Sequence, residues 1–349
     1  MPASAPDRQF PLAEAREITR DLFTPNPAIY WLDFLFHMAL GWAAFYVVLV
    51  SPVFSALGLA AYVVSALALY RAVIFTHELA HLKKGTFKFF RLVWNVTCGF
   101  PLMVPSFTYH GVHNDHHTRD IYGTDRDGEY IPFAVQKPYR IVAYMFLIFV
   151  LPIIFAARFL LLAPLSWLFA SMGRFVWERA SSLTIDLFYK RPAFSKRDDP
   201  TWRLQEVATC AYGWMAVALV ATGTLPVKAI VLWYLVTTLI FLLNSLRTLA
   251  AHAYRNPGDQ LMSVPEQYLD SVDVPGNFFL TPLWAPVGLR YHATHHLFPN
   301  MPYHATAKAQ RRLTERLSDN TLYLKATRKS LWDALSTLWR EARWSSARA

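Results

Sequence analysis

Two cysteines, Cys98 and Cys210, are all the thiols the chain has. They are too few for a disulfide framework and fit a reducing compartment. Two isolated thiols cannot hold an iron–sulfur cluster either, and no H-P-G-G run marks an attached haem module. Charge is sparse at 17% of residues, and acids are outnumbered, 24 against 34 bases. The formal charge of +10 is spread over several connecting segments and is joined by no other nucleic-acid signal. Nucleic acid is therefore not an expected partner. The opening stretch "MPASAPDRQFPLAEAREITRDLF" contains acids and no apolar core, and it does not read as a secretory signal. Internal repeats, low-complexity tracts and flexible linkers are missing, so residues 1–349 read as a single domain.

What is abundant is apolar surface. Apolar residues make up 54% of the chain and aromatics 15%, which points to an integral membrane protein. Four runs are long enough to cross a bilayer: about 32–51, 55–75, 206–222 and 227–247. The connections 51–56 and 223–228 are short and nearly uncharged, whereas 83–91, 119–140, 174–203 and the C-terminal third are long and rich in Lys and Arg. By the positive-inside rule, both termini and the long segments are expected on the cytoplasmic side. Residues 141–170 are equally apolar, but Pro152, Arg158 and Pro164 interrupt them. This segment is expected to lie in the interface, as is 89–104. Residues 305–344 read as basic amphipathic helix, also interfacial. The expected fold class is all-α, with four transmembrane helices, interfacial helices and a cytoplasmic helical cap.

The histidines carry the chemistry. Twelve are present, and most fall into groups. "HELAH" supplies His77 and His81, and "HGVHNDHH" supplies His110, His113, His116 and His117. His252 stands in "LAAHAYRN", and "YHATHHLFPNMPYH" holds His292, His295, His296 and His304. The unit H-x-x-H-H occurs twice, and on a helix its offsets place imidazoles along one face. HELAH taken alone matches the H-E-x-x-H of zinc proteases. A catalytic zinc, however, uses about three protein ligands. His77, His81, His113, His116, His117, His252, His292, His295 and His296 number nine, which is too many for one ion and suits two. Imidazole suits iron, zinc, copper or nickel. The protease reading leaves most of these histidines unexplained. A metal transporter would place its ligands at the bilayer midplane, whereas these lie at span ends.

Taken together the boxes resemble the membrane fatty-acid desaturase family: "THELAH" after the second span, "HNDHH" shortly after it, "TLAAHAY" after the fourth, and "HATHHLFPNMPYH". The resemblance extends from about 60 to 305. It implies two non-haem irons, ferrous in the reduced form, held by those nine histidines without carboxylate ligands. It further implies dioxygen as co-substrate and electrons from a separate ferredoxin-, rubredoxin- or cytochrome b5-like protein. The implied reaction is insertion of a C=C bond into a long acyl chain carried on coenzyme A, a carrier protein or a phospholipid. A hydroxylase or ketolase acting on an acyl chain, alkane or isoprenoid shares the scaffold, because the boxes report the metals and not the fate of the substrate. A bacterial inner membrane is the expected location.

Around the boxes, Glu78 could orient an imidazole or lie exposed. His110 could support a ligand or face solvent. Thr248 or Asn244 could hold a water or simply pack. His304 is expected to hydrogen-bond within the cap. Asp120, Asp125, Asp127 and Glu129 either orient ligand histidines or form a solvated turn.

Overall fold

The computed structural model describes residues 10–83 and 85–348. Among them there are helices, turns and isolated bridges but no β-strand, so the expected all-α membrane class holds. Among the described residues, five helices are long and apolar enough to cross a bilayer: Pro27–Val50, Ala56–His81, Leu151–Leu168, Trp202–Ala221 and Lys228–Leu249. Four of these cover the expected spans with ends shifted by a few residues. The fifth lies within 141–170.

There the prolines do not act as breaks. Pro152 occupies the first turn of the helix, where its missing N–H costs nothing. Pro164 follows a single π turn, Arg158–Leu162, which closes with Ala163 N–H on the Arg158 carbonyl. The buried Arg158 guanidinium donates to Glu206 Oε1 at 2.6 Å, and Trp167 Nε1 donates to the other oxygen at 2.9 Å. Pairing is what makes a charge tolerable in so apolar a helix.

By contact density the chain divides into two compact units, each discontinuous in sequence. One comprises Pro27–His113 and Phe146–Leu243; the other comprises Met1–Asn26, Asn114–Met145 and Asn244–Ala349.

In the first unit, Pro27–Val50 and Ala56–His81 form a close antiparallel pair around the Ser51-Pro52 turn. Gly41 is required at their contact, since a Cβ there would meet Leu69 at 2.6 Å. Asp33 takes a forked bond from Arg71 (Nε at 2.7 Å) and lies 2.9 Å from His37 Nδ1. The Ser55 hydroxyl caps the second helix through Gly58 N–H. At its far end Thr76, His77, Glu78, Leu79 and Ala80 are all buried, so HELAH ends the helix inside the protein. Lys228 closes the opposite end. Its ammonium donates to the carbonyls of Val48 (2.7 Å), Leu49 (3.0 Å) and Ser51 (2.6 Å), the unpaired C-terminal carbonyls of the first helix. Lys228→Met is expected to cost about 1–2 kcal/mol of stability, read by thermal unfolding in detergent.

The second unit packs the helices Tyr303–Arg316 and Leu12–Thr19 on a core that includes Tyr268, Leu297, Phe298, Leu313 and Tyr323. The region expected to be a basic amphipathic helix is three helices: Tyr303–Arg316, Thr321–Lys325 and Leu331–Ser346.

Candidate metal centre

His116, His252, His292 and His296 come together in the second unit. All four are buried, and one ligand nitrogen of each lies within 4.8 Å of those of the others. His116 ends the short helix Val112–His116, His252 follows the helix Lys228–Leu249, and His292 and His296 lie one turn apart on His292–Leu297. His252 Nε2 is 2.9 Å from His292 Nε2, which is 3.2 Å from His296 Nε2.

These distances decide whether an ion fits. The Nδ1 atoms of His292 and His296 are buried without a hydrogen-bond partner, and Nδ1 of His252 is turned to the hydroxyls of Tyr122 (3.0 Å) and Ser271 (3.3 Å). Protons on Nδ1 leave three Nε2 lone pairs facing one another at close range, which is repulsive unless a cation lies between them. With metal–nitrogen bonds of about 2.0–2.1 Å, ligand nitrogens at right angles on one ion lie about 3.0 Å apart and tetrahedral ones about 3.4 Å. The observed spacings fall in that range. The set is all imidazole, the donor type suited to iron, copper, nickel and zinc.

The surrounding residues fix the rings. Asp127, fully buried, accepts from His116 Nδ1 at 2.8 Å and from Gly123 N–H at 2.8 Å, which leaves His116 Nε2 for a metal. Tyr122 also donates to Asp270 (3.2 Å), as does Tyr130 (2.6 Å). Asp273 accepts from both the backbone N–H (3.0 Å) and the hydroxyl (2.6 Å) of Thr294 and so anchors the helix that carries His292 and His296. Burial pulls His252, His292 and His296 well below the ordinary histidine value. It acts the same way on His116, but the Asp127 carboxylate outweighs it and the net shift is upward. Burial lifts Asp270 and Asp273 to about 6 despite their donors.

The other five histidines show the same close nitrogens. Within the first unit His77, His81 and His113 have ring centroids 4.5–5.0 Å apart, and His81 Nε2 lies 2.8 Å from His113 Nε2. The Tyr109 ring stacks on His113 and its hydroxyl meets Nδ1 at 2.9 Å. Within the second unit His117 Nε2 is 3.0 Å from His295 Nε2. The imidazoles of H-x-x-H-H therefore do not form one row. His296, a full turn from His292, joins it, while His295 turns instead to His117.

The flanking residues fall as follows. Glu78 lies 3.6 Å from His77 Nδ1 and accepts from the Tyr30 hydroxyl, so it is buried beside an imidazole and not exposed. His110 hydrogen-bonds the Arg197 carbonyl at 3.3 Å. Thr248 gives its carbonyl to the Tyr254 hydroxyl (2.8 Å), and Asn244 accepts from Arg247 (2.9 Å). His304 accepts from Asn26 N–H at 3.1 Å. Of the acids in 120–129, Asp127 lies on a histidine ring, that of His116. Tyr122, Tyr130, Asp270, Ser271 and Asp273 were not expected. They stand in no motif, and only their hydrogen bonds reveal them.

The molecule is thus a helical membrane protein with a buried, all-imidazole metal-binding set. The family model for fatty acid desaturase matches residues 52–328, and the chain belongs to that family. It is 41% identical over 340 residues to a ceramide hydroxylase of Caulobacter vibrioides (strain NA1000 / CB15N), covering 96% of this chain and 95% of that protein. No solved structure matches it.

Proposed function

We propose that the protein is an oxygen-dependent lipid hydroxylase that acts on the long chain of a ceramide-type lipid and uses two irons held by the nine histidines. The observation that carries this reading is the 41% identity to a ceramide hydroxylase along nearly the whole of both chains. It moves the hydroxylase ahead of the desaturase that the histidine boxes suggested first. The geometry supports an oxygenase centre in general: the donors are imidazoles, and His116 and His292 are only 1% and 2% exposed. Bound irons would supply activation of dioxygen for attack on an unactivated C–H bond.

The protein's own part is positional. Asp127 holds the proton of His116 on Nδ1, Tyr122 and Ser271 fix His252, and Asp273 with Thr294 locks the helix that carries His292 and His296. Burial keeps bulk water from the set, which protects a reactive centre from side reactions. Insertion of one oxygen atom, with the other leaving as water, requires two electrons and two protons. A separate redox protein in a bacterial inner membrane is proposed as the electron source.

The test is product analysis. Iron-loaded protein in detergent, a chemical reductant, isotopically labelled dioxygen and a ceramide are combined, and the lipid is examined by mass spectrometry. The expected result is gain of one labelled oxygen. Loss of two hydrogens with no oxygen gained would return the assignment to a desaturase.

A further inference from the structure

The first unit contains a cavity of about 350 Å3 that takes no part in the chemistry above. Leu79 and Leu82, on either side of His81, form part of its wall, and His110, three residues before His113, forms another. Its polar lining is uneven in charge: Lys83, Lys88 and Arg91 against Asp199 alone. The carboxylate is already engaged. It accepts from the Thr201 hydroxyl at 2.7 Å and from Gln205 Nε2 at 2.9 Å, and Arg91 Nη1 reaches it only at 3.5 Å. The same Nη1 is 3.5 Å from the Ser106 hydroxyl, so its two contacts are both long. A half-buried guanidinium is thus left with donor capacity for a closer acceptor, and desolvation disfavours its charge more than Asp199 restores it.

Apart from Thr86 and Thr201, the rest of the wall is apolar, with Phe87, Phe89 and Phe90 in it. Phe89 is 60% exposed and is held at φ 67°, a left-handed conformation that is strained for a bulky residue. An exposed aromatic ring in a strained turn next to three cations suits a ligand with an anionic head and an apolar body.

We infer that this cavity binds the phosphate ester group of an amphiphile, with Arg91, Lys83 and Lys88 on the phosphate and Phe89 against the apolar part. The volume falls in the range of ligand pockets, and phosphate accepts readily from guanidinium and ammonium groups. The inference holds whichever reaction the histidine centre performs.

Its test uses full-length protein in neutral detergent, with lipid retention measured by native mass spectrometry. The probes are phosphatidylglycerol, phosphatidylcholine and, as competitor, inorganic phosphate. Phosphatidylglycerol is expected to be retained in preference to phosphatidylcholine. The exposed pair Lys83→Gln/Lys88→Gln is expected to lose roughly twenty-five-fold in affinity, near fivefold for each cation, and Arg91→Gln at least fivefold. Retention unaffected by millimolar phosphate identifies a membrane lipid as the source. Displacement by phosphate, lost in the same variants, identifies a soluble phosphate ester. Equal retention of the two lipids, or parent-like affinity in the double-lysine variant with metal content unchanged, overturns the inference. Arg91 also holds the Leu79 carbonyl at 2.7 Å. The lysine pair therefore decides the matter if Arg91→Gln folds poorly.

Discussion

Detergent-purified protein from cells grown with added iron is expected to carry about two metal ions per chain, and the His113→Ala/His296→Ala double variant to carry almost none. The expectation follows from the nitrogens. In the second unit four buried imidazoles lie with their ligand atoms within 4.8 Å of one another, and removing His296 takes away one of three Nε2 atoms that face each other. In the first unit His113 is the partner of His81 at 2.8 Å. Single variants separate the contributions, and His296→Ala alone should leave about one ion. Metal content is read by elemental mass spectrometry, and stability is read alongside it. An ion bound only by the folded chain stabilises it by about 4 kcal/mol at a thousand times its dissociation constant. Chelator-treated parent and the double variant should therefore melt at similar, lower temperatures. Two zincs in place of iron would keep the paired site and indicate misloading, since zinc competes well for imidazole. A single zinc untouched by both substitutions would sink the dinuclear reading and reopen HELAH as a protease motif.

How much of this could be read in advance depends on whether the information was local. The nine histidines were visible because their spacing repeats within a few residues. Their division was not. His295 and His296 are neighbours in sequence, yet one faces His117 and the other His292, and that choice is made by the rotation of a single short helical turn. Asp127 was visible only as one of four acids, and nothing local sets it apart from Asp120 or Asp125. What does so is a tight turn in which its carboxylate caps Gly123 and Glu129 N–H while facing His116. Asp270 and Asp273 carry no motif at all. They matter because chain far away in sequence brings Tyr130 to one and Thr294 to the other. Pro152, Arg158 and Pro164 signal breaks as residue types, yet the helical run Leu151–Leu168 passes through all three. In place, one proline starts the helix, one follows a π turn, and the arginine is neutralised by Glu206.

Replacing Asp127 by Asn is expected to weaken metal binding about ten- to a hundredfold while leaving the chain folded. The carboxylate accepts three N–H groups: His116 Nδ1 at 2.8 Å, Gly123 at 2.8 Å and Glu129 at 2.9 Å. An amide has one accepting oxygen and one donating nitrogen. Facing its oxygen to His116 and Gly123 sets NH2 against Glu129 N–H. Facing NH2 to His116 forces that ring to move its proton to Nε2 and removes the lone pair a metal needs. A buried unsatisfied donor also costs about 1–3 kcal/mol, so a modest fall in melting temperature should accompany the loss. The pH dependence gives a second readout. Despite burial, Asp127 holds His116 above its ordinary value, so the ring keeps the proton that an incoming metal must displace up to a higher pH than a free imidazole does. Burial keeps His252, His292 and His296 below theirs, and they are already neutral. Metal affinity of the parent should therefore drop as pH falls through the raised value of His116, and the Asn variant should show a shallower dependence there. In the metal-free chain the signs are opposed. His116 stabilises the fold below about 6.5 and loses that contribution as pH rises through its own raised value. The other three stabilise it above that pH and lose their contribution as pH falls through their lowered values. Asp270 and Asp273, lifted to about 6, act on the side of His116, because as pH falls they take up protons in the folded chain before the unfolded one. Affinity is read by chelator competition and stability by thermal unfolding at several pH values. An Asn variant that binds metal as tightly as the parent, with the same pH profile, would show that Asp127 builds the turn and does not govern the imidazole.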